Sequence, residues 1–194
     1  MRATLWLSAA LLGLFALQGC SLKPQNLRLD PQQIRIQESQ IGSGTTVGLQ
    51  VTDTRPTKKL GEVGDPDNKM VDVSVEEDPS PKIYARVKEA LARLGFTVVP
   101  FSEGADPSLK IEIRKLELQS VKTPFTFETE LRADVAAHAA KASASYDRQF
   151  NVRTRKDGAA PPFEKDSTAL VNTAISQALE DLLADEQLLG TLGN

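Results

Sequence analysis

Three observations predict an α/β fold: a two-layer sandwich with two amphipathic helices on one face of a mixed or antiparallel sheet of about five to six strands. Apolar and polar residues alternate at period two in several stretches, as in Val47/Leu49/Val51 and Val71/Val73/Val75. Two other stretches, one central and one C-terminal, carry apolar residues at helical spacing. The length, 194 residues of which 40% are hydrophobic and 25% charged, suits one core, and no internal repeat divides it.

Composition removes several function classes. The chain has one Cys and one His, too few for an intramolecular disulfide or a zinc site of soft ligands. A formal net charge of -3 without a long basic run makes a poor nucleic-acid binder. No cofactor and no metal are expected.

Residues 1–19 read as an export signal. Arg2 supplies the positive start, and residues 5–17 are apolar apart from Ser8. Those 13 residues would rise only about 20 Å as a helix, too little for a bilayer core of roughly 30 Å. The segment ends in Leu17-Gln18-Gly19-Cys20, which resembles a bacterial lipobox, although Gln18 departs from the small residue usual there. The resemblance implies cleavage before Cys20, a diacylglycerol on its thiol and an acyl chain on its new amine. An ordinary signal peptide would carry small residues at both -1 and -3, and Leu17 is not one. Each buried CH₂ adds about 0.8 kcal/mol, so three acyl chains hold far more firmly than one. In Gram-negative lipoproteins an Asp after the cysteine retains the protein in the inner membrane; Ser21 here favours the outer membrane. Cleavage removes Arg2, so Lys+Arg falls from 23 to 22 against 26 Asp+Glu and the charge moves from -3 to -4. The expected membrane partner is therefore held by lipid at Cys20, not by charge.

Residues 20–45 read as the lipidated N-terminus and a tether, rich in Gln, Ser, Gly and Pro, with Pro24 and Pro31 as breakers. Leu27/Leu29 and Ile34/Ile36 alternate within it, so parts are expected to dock on the domain. Residues 46–194 read as a single periplasmic α/β domain. Val47, Leu49 and Val51 mark its first strand, ending at Asp53-Thr54-Arg55-Pro56. Residues 57–68 then read as a loop, and residues 70–75 as a second strand. Ser80 is placed as an N-cap with Pro81 at N1, opening a helix whose stripe is Ile83, Val87, Ala90, Leu91 and Leu94, with Gly95 beyond its end. Residues 96–101 make a third strand. Leu109, Ile111 and Ile113 share one parity but Leu116 and Leu118 the other, which predicts a β-bulge near Arg114-Lys115. Residues 125–139 and 144–155 alternate as two further strands. Asp166 or Ser167 is placed as the cap of a final helix running to Gly190, with Val171, Ala174, Ile175, Ala178, Leu182 and Leu183 on its core face.

The ordered set of these features resembles the YajG family of bacterial lipoproteins. The residues carrying the likeness are Cys20, Val47-Gly48-Leu49-Gln50-Val51 with Asp53 and Arg55, Leu94-Gly95-Phe96, Leu109-Lys110-Ile111, and Tyr146 with Phe150-Asn151-Val152 before the Ala-rich final helix. Residues 57–68 and the 191–194 tail depart from it. The resemblance implies an outer-membrane lipoprotein with a periplasmic domain and no assigned activity, and it supplies no catalytic residues.

Read for chemistry, the residues point mostly to structure. His138 has the parity of Glu130, Arg132 and Asp134, as a solvated sheet-face residue would; its functional reading is a base or metal ligand beside Asp134. No nucleophile motif accompanies it. Asp53-x-Arg55 sits at a strand end, where α/β folds place ligand sites, but a local salt bridge before Pro56 accounts for it too. Arg148 is expected to pair with a carboxylate at the sheet edge. Asp65-Pro66-Asp67-Asn68 lacks the spacing of a calcium loop, and Gly42-x-Gly44 precedes its strand instead of following one. The reading is thus a non-catalytic, membrane-anchored accessory or binding domain. Two alternatives stay open: a carrier of lipid or lipopolysaccharide, which needs an apolar groove, and an envelope hydrolase using Glu128, Glu130 and Asp134.

Overall fold

The computed structural model describes residues 22–142 and 144–193. In chain order the elements are β1 (Gln25–Asn26), β2 (Thr46–Asp53), β3 (Lys59–Asp65), β4 (Lys69–Ser74), α1 (Ser80–Arg93), β5 (Thr97–Pro100), β6 (Ser108–Lys122), β7 (Phe127–Lys141), β8 (Ala144–Gly158), α2 (Glu164–Leu183) and α3 (Glu186–Gly193). The predicted signal segment and Cys20 lie outside the described residues.

The long strand β6 organises the sheet. One of its edges pairs antiparallel with β7, which pairs antiparallel with β8. Its other edge is shared. The first half pairs parallel with β2 as far as Asp53↔Ile113, and the second half pairs parallel with β3 at Gly61↔Leu118 and Glu62↔Gln119. Beyond β2 lies β5, and beyond β3 lie β4 and β1, so the eight-stranded sheet forks into two wings about β6. The predicted bulge is where the fork opens: the β6–β7 register shifts between Ile113 and Lys115. That extra residue returns Leu116 and Leu118 to the buried face shared by Leu109, Ile111 and Ile113, and increases the local twist.

The fold is α/β as expected, but it is a curled open sheet with three helices and not a simple two-layer sandwich. The extra strands come from the region predicted as a loop. Residues 57–68 instead contain β3 and the turn of the β3–β4 hairpin. Its buried residues, Leu60 and Val63, have opposite parity, so no period-two signal marks the strand. Glycine is needed there: a Cβ on Gly61 would lie 1.9 Å from the Leu118 carbonyl oxygen.

Helix ends also differ from expectation. Pro79, not Ser80, is the N-cap of α1; Ser80 is the first helical residue, and its amide donates to Asp78 Oδ1 at 2.9 Å. The acidic residue just outside the helix therefore does the capping assigned to serine. Neither Asp166 nor Ser167 caps α2, which starts at Glu164 after Phe163. The helix predicted to run to Gly190 breaks at Ala184-Asp185, and α3 starts anew.

The segment read as a tether is a strap laid between the helices. Leu27, Leu29 and Ile34 are buried in the common core. Burial of such a side chain contributes roughly 1.5–3 kcal/mol. From the α1 side, the Arg86 guanidinium donates to the Pro31 carbonyl, and that of Arg93 to the Ile34 and Ile36 carbonyls. From the α2 side, Asn172, Ser176 and Glu180 accept the amides of Asp30, Gln32 and Arg35. Between Asp30 and Ile36 these backbone groups of the strap are thus satisfied by side chains, where no neighbouring strand pairs with it.

The helices and strap pack on the apolar face of the sheet, against Leu131, Ala133, Val135, Phe150 and Val152. The other face of β6–β8 carries Lys110, Glu112, Glu130, Arg132, Asp147 and Arg153 in alternation with those residues.

Candidate functional site

The strand-end pair predicted at Asp53-x-Arg55 sits where the sheet forks. Pro56 has no amide to continue a ladder, so the chain leaves β6 after Thr54, whose amide still donates to the Ile113 carbonyl, and rejoins it only with β3. Asp53 holds Arg55 in a fork: Arg55 Nε donates to Oδ1 at 2.8 Å, Nη2 to Oδ2 at 2.7 Å, and the Arg55 amide to Oδ1 at 3.2 Å. The Arg55 side chain is only 3% exposed. Its remaining nitrogen, Nη1, is buried without a hydrogen-bond partner among the described residues. Beside it opens a cleft of about 380 Å³, lined by Arg55, Leu60, Gly61, Arg114, Lys115 and Glu117.

The cleft is rich in cations, but they are matched. Arg114 pairs with Glu112 at 2.9 Å, Lys115 with Glu117 at 2.7 Å, and Lys59 with Glu62 and Asp72 at 2.7 and 2.8 Å. The hydrogen bond from Lys115 holds the Glu117 carboxyl below its usual range. A carboxyl stabilised as the anion cannot lend a proton near neutrality. The cleft can bind, but it is not poised for acid–base chemistry.

The solvated sheet face gathers the other predicted candidates. His138 is half-buried, and its Nδ1 lies 2.6 Å from Asp147 Oδ1 on the neighbouring strand, not beside Asp134. Two of the three carboxylates of the hydrolase reading are matched by arginines: Glu130 by Arg132 at 2.7 Å and Glu128 by Arg155 at 3.1 Å. The Arg132 hydrogen bond holds the Glu130 carboxyl below its ordinary value, the wrong direction for a general acid. No group of three His, Cys, Asp or Glu side chains among the described residues converges as a metal site. Asp65 and Asp67 instead grip Lys122 at 2.8 and 3.0 Å.

Arg148 does find a carboxylate, one that the sequence reading passed over. Asp185, at the break between α2 and α3, is buried; it accepts from Arg148 and, at 3.2 Å, from the Tyr146 hydroxyl. Its Oδ1 also accepts the Leu188 amide at 2.9 Å, capping α3. Burial pushes the Asp185 carboxyl up, but the Leu188, Arg148 and Tyr146 hydrogen bonds outweigh it and hold it low. The signal was available, since an Asp just before a fresh apolar run is a cap. Phe125, read as the start of a strand, instead lies in the β6–β7 turn and is almost fully exposed. Thr123-Pro124 was its turn signal.

Comparison with known proteins adds a family. A family model described as an uncharacterised lipoprotein matches residues 31–192. No curated protein matches the chain. Among solved structures, protein XCC0632 from Xanthomonas campestris is similar at a TM-score of 0.54 and 14% identity, covering 87% of this chain and 94% of that one. An uncharacterised protein follows at 0.49 and 10%, covering 84% and 97%. Lipoprotein GNA1162 from Neisseria meningitidis is similar at 0.36 and 9%, covering 73% and 99%. The first of these shares the fold. No helix among the described residues is long and apolar enough to cross a membrane.

Proposed function

The chain belongs to the YajG family of uncharacterised lipoproteins, and from that premise we propose that it is a lipid-anchored accessory or binding domain of the cell envelope, without catalysis of its own. Cys20 carries the lipid, the outer membrane holds it, and the domain faces the periplasm. The observation that carries this reading is a lipobox-like Leu17-Gln18-Gly19-Cys20 eleven residues ahead of the matched segment 31–192. Ser21 supports the outer membrane. The ion-paired cleft at Arg55 and the paired carboxylates of the sheet face support binding over catalysis. A lipid carrier would need an apolar groove, and the space between α1 and α2 is filled by Leu27, Leu29 and Ile34 of the strap.

Metabolic labelling with palmitate, followed by separation of the two membranes, tests the anchor. The wild-type chain is expected to carry label and to sediment with the outer membrane, while Cys20→Ala loses both. Label persisting in Cys20→Ala refutes the anchor; label with inner-membrane sedimentation refutes the location alone.

A further inference from the structure

Among the described residues five large hydrophobic side chains are exposed, and three of them, Val121, Phe125 and Phe163, gather at one end of the sheet. Phe125 is 91% exposed, Val121 58% and Phe163 50%. The register places them together: Lys122 pairs with Phe127 across the β6–β7 turn, Phe127 pairs with Gly158, and Phe163 follows closely before α2. Exposed apolar side chains brought to one end of a sheet mark it as a candidate contact surface.

The first described residues lie at the same end. Gln25 Nε2 donates to the Pro162 carbonyl at 2.8 Å, one residue from Phe163. β1 runs parallel to β4, so the chain before Gln25 comes from the side of the Asp65–Lys69 turn, and Asp65 grips Lys122 beside Val121. Cys20 precedes Gln25 by five residues, which reach at most about 17 Å. The far end of the sheet lies a 15-residue strand away, roughly 45–50 Å. Acyl chains on Cys20 can enter a bilayer only if the near end faces it.

We propose that the end of the sheet bearing Phe125 rests on the lipid bilayer, with Phe125, Val121 and Phe163 seated among the headgroups. The proposal rests on the lipid anchor at Cys20. Aromatic and aliphatic side chains at a membrane surface add apolar burial to a covalent anchor and fix how the domain stands on it. The charged face of β6–β8 and the Arg55 cleft then stay open to the periplasm.

Trp6 is the only tryptophan and lies in the segment removed on processing, so a single substitution gives a single reporter. Phe125→Trp, and Val99→Trp at the far end as control, are each prepared as the full processed lipoprotein in phosphatidylethanolamine/phosphatidylglycerol vesicles. Flotation reports the anchor independently of the fluorescence. The expected result is co-flotation of both variants, with a blue shift at position 125 and its quenching by lipids brominated in the acyl chain, and neither at position 99. Co-flotation with an unshifted, unquenched Phe125→Trp overturns the orientation and leaves the anchor standing. A blue shift without lipid quenching assigns the patch to a protein surface and also overturns it. Loss of flotation overturns the anchor, and the orientation falls with it.

Discussion

Leu27→Ala measures whether the strap is part of the fold. Leu27 is fully buried, and its amide donates to the Ser74 carbonyl at 2.8 Å. Truncating a buried leucine costs about 2–5 kcal/mol, the loss rising with the volume the surroundings fail to fill. Leu27 belongs to the core cluster shared by the strap, the helices and the sheet, and the Arg86 and Arg93 bonds hold the strap farther along, which limits how far the surroundings can close on a cavity. We therefore expect about 3 kcal/mol. A second limit applies: the loss cannot exceed the free energy that docks the strap, because beyond it the strap opens locally while the rest stays folded. Urea denaturation of the purified chain reads the first limit. With a slope of about 2–3 kcal/mol/M, the midpoint should fall by about 1–1.5 M. Amide exchange at Leu27 reads the second, and its protection should collapse in the variant. Ile41→Ala, at a partly exposed site, is the control and should stay within about 0.5 kcal/mol. If Leu27→Ala behaves like that control and the Leu27 amide of the wild type exchanges freely, residues 22–36 are a loose tether in solution, and the packing argument fails.

Asp185→Ala should cost about 2 kcal/mol, because it removes the cap of α3 together with the Arg148 and Tyr146 contacts; the exposure of Arg148 keeps the figure low. A carboxyl whose folded pKa is depressed contributes stability present above its unfolded value near 4 and lost as the pH falls through the folded one. Thermal melts of the wild type should therefore drop more steeply than those of Asp185→Ala below about pH 4, and parallel curves would contradict the assignment. Gly61→Ala should destabilise by about 1–3 kcal/mol or more by pushing β3 off β6; an unchanged melting temperature would show that β3 does not pair there.

The sequence made legible those parts where packing imposes a period. The strands Val47/Leu49/Val51 and the alternation of β7 and β8 expose one face to the core and the other to water, so their pattern is their structure. The bulge could be located to the Arg114-Lys115 neighbourhood because it breaks that period in an otherwise regular strand. What escaped were elements whose burial follows no period, breaks hidden within one, and contacts between distant segments. β3 buries Leu60 and Val63 on opposite parities and depends on two glycines. The break at Asp185 hid inside a continuous helical stripe, since Leu182, Leu183, Leu188 and Leu189 are all buried on either side of it. The strap's alternation was visible in Leu27 and Leu29, but its partners are side chains of two distant helices, which no local window reveals. For the site, the Asp53–Arg55 pair was readable as a salt bridge. The fork that buries it was not, because it arises from β2 and β3 sharing one edge of β6.

The strap has a consequence for the order in which the chain can fold. Its amides at Asp30, Gln32 and Arg35 are received by Asn172, Ser176 and Glu180, more than 140 residues later. The β6–β7–β8 meander pairs near neighbours and can form early, whereas contacts of such sequence separation come late. Until α2 exists the strap has half of its groove missing. The strap from Asp30 to Arg35 therefore lacks these partners for as long as the C-terminal helix is still being delivered, and docks fully only when the last part of the chain arrives. The proposed attachment of lipid at Cys20 is then compatible with a well-ordered strap close by: the order is imposed at the end of folding and not at its beginning.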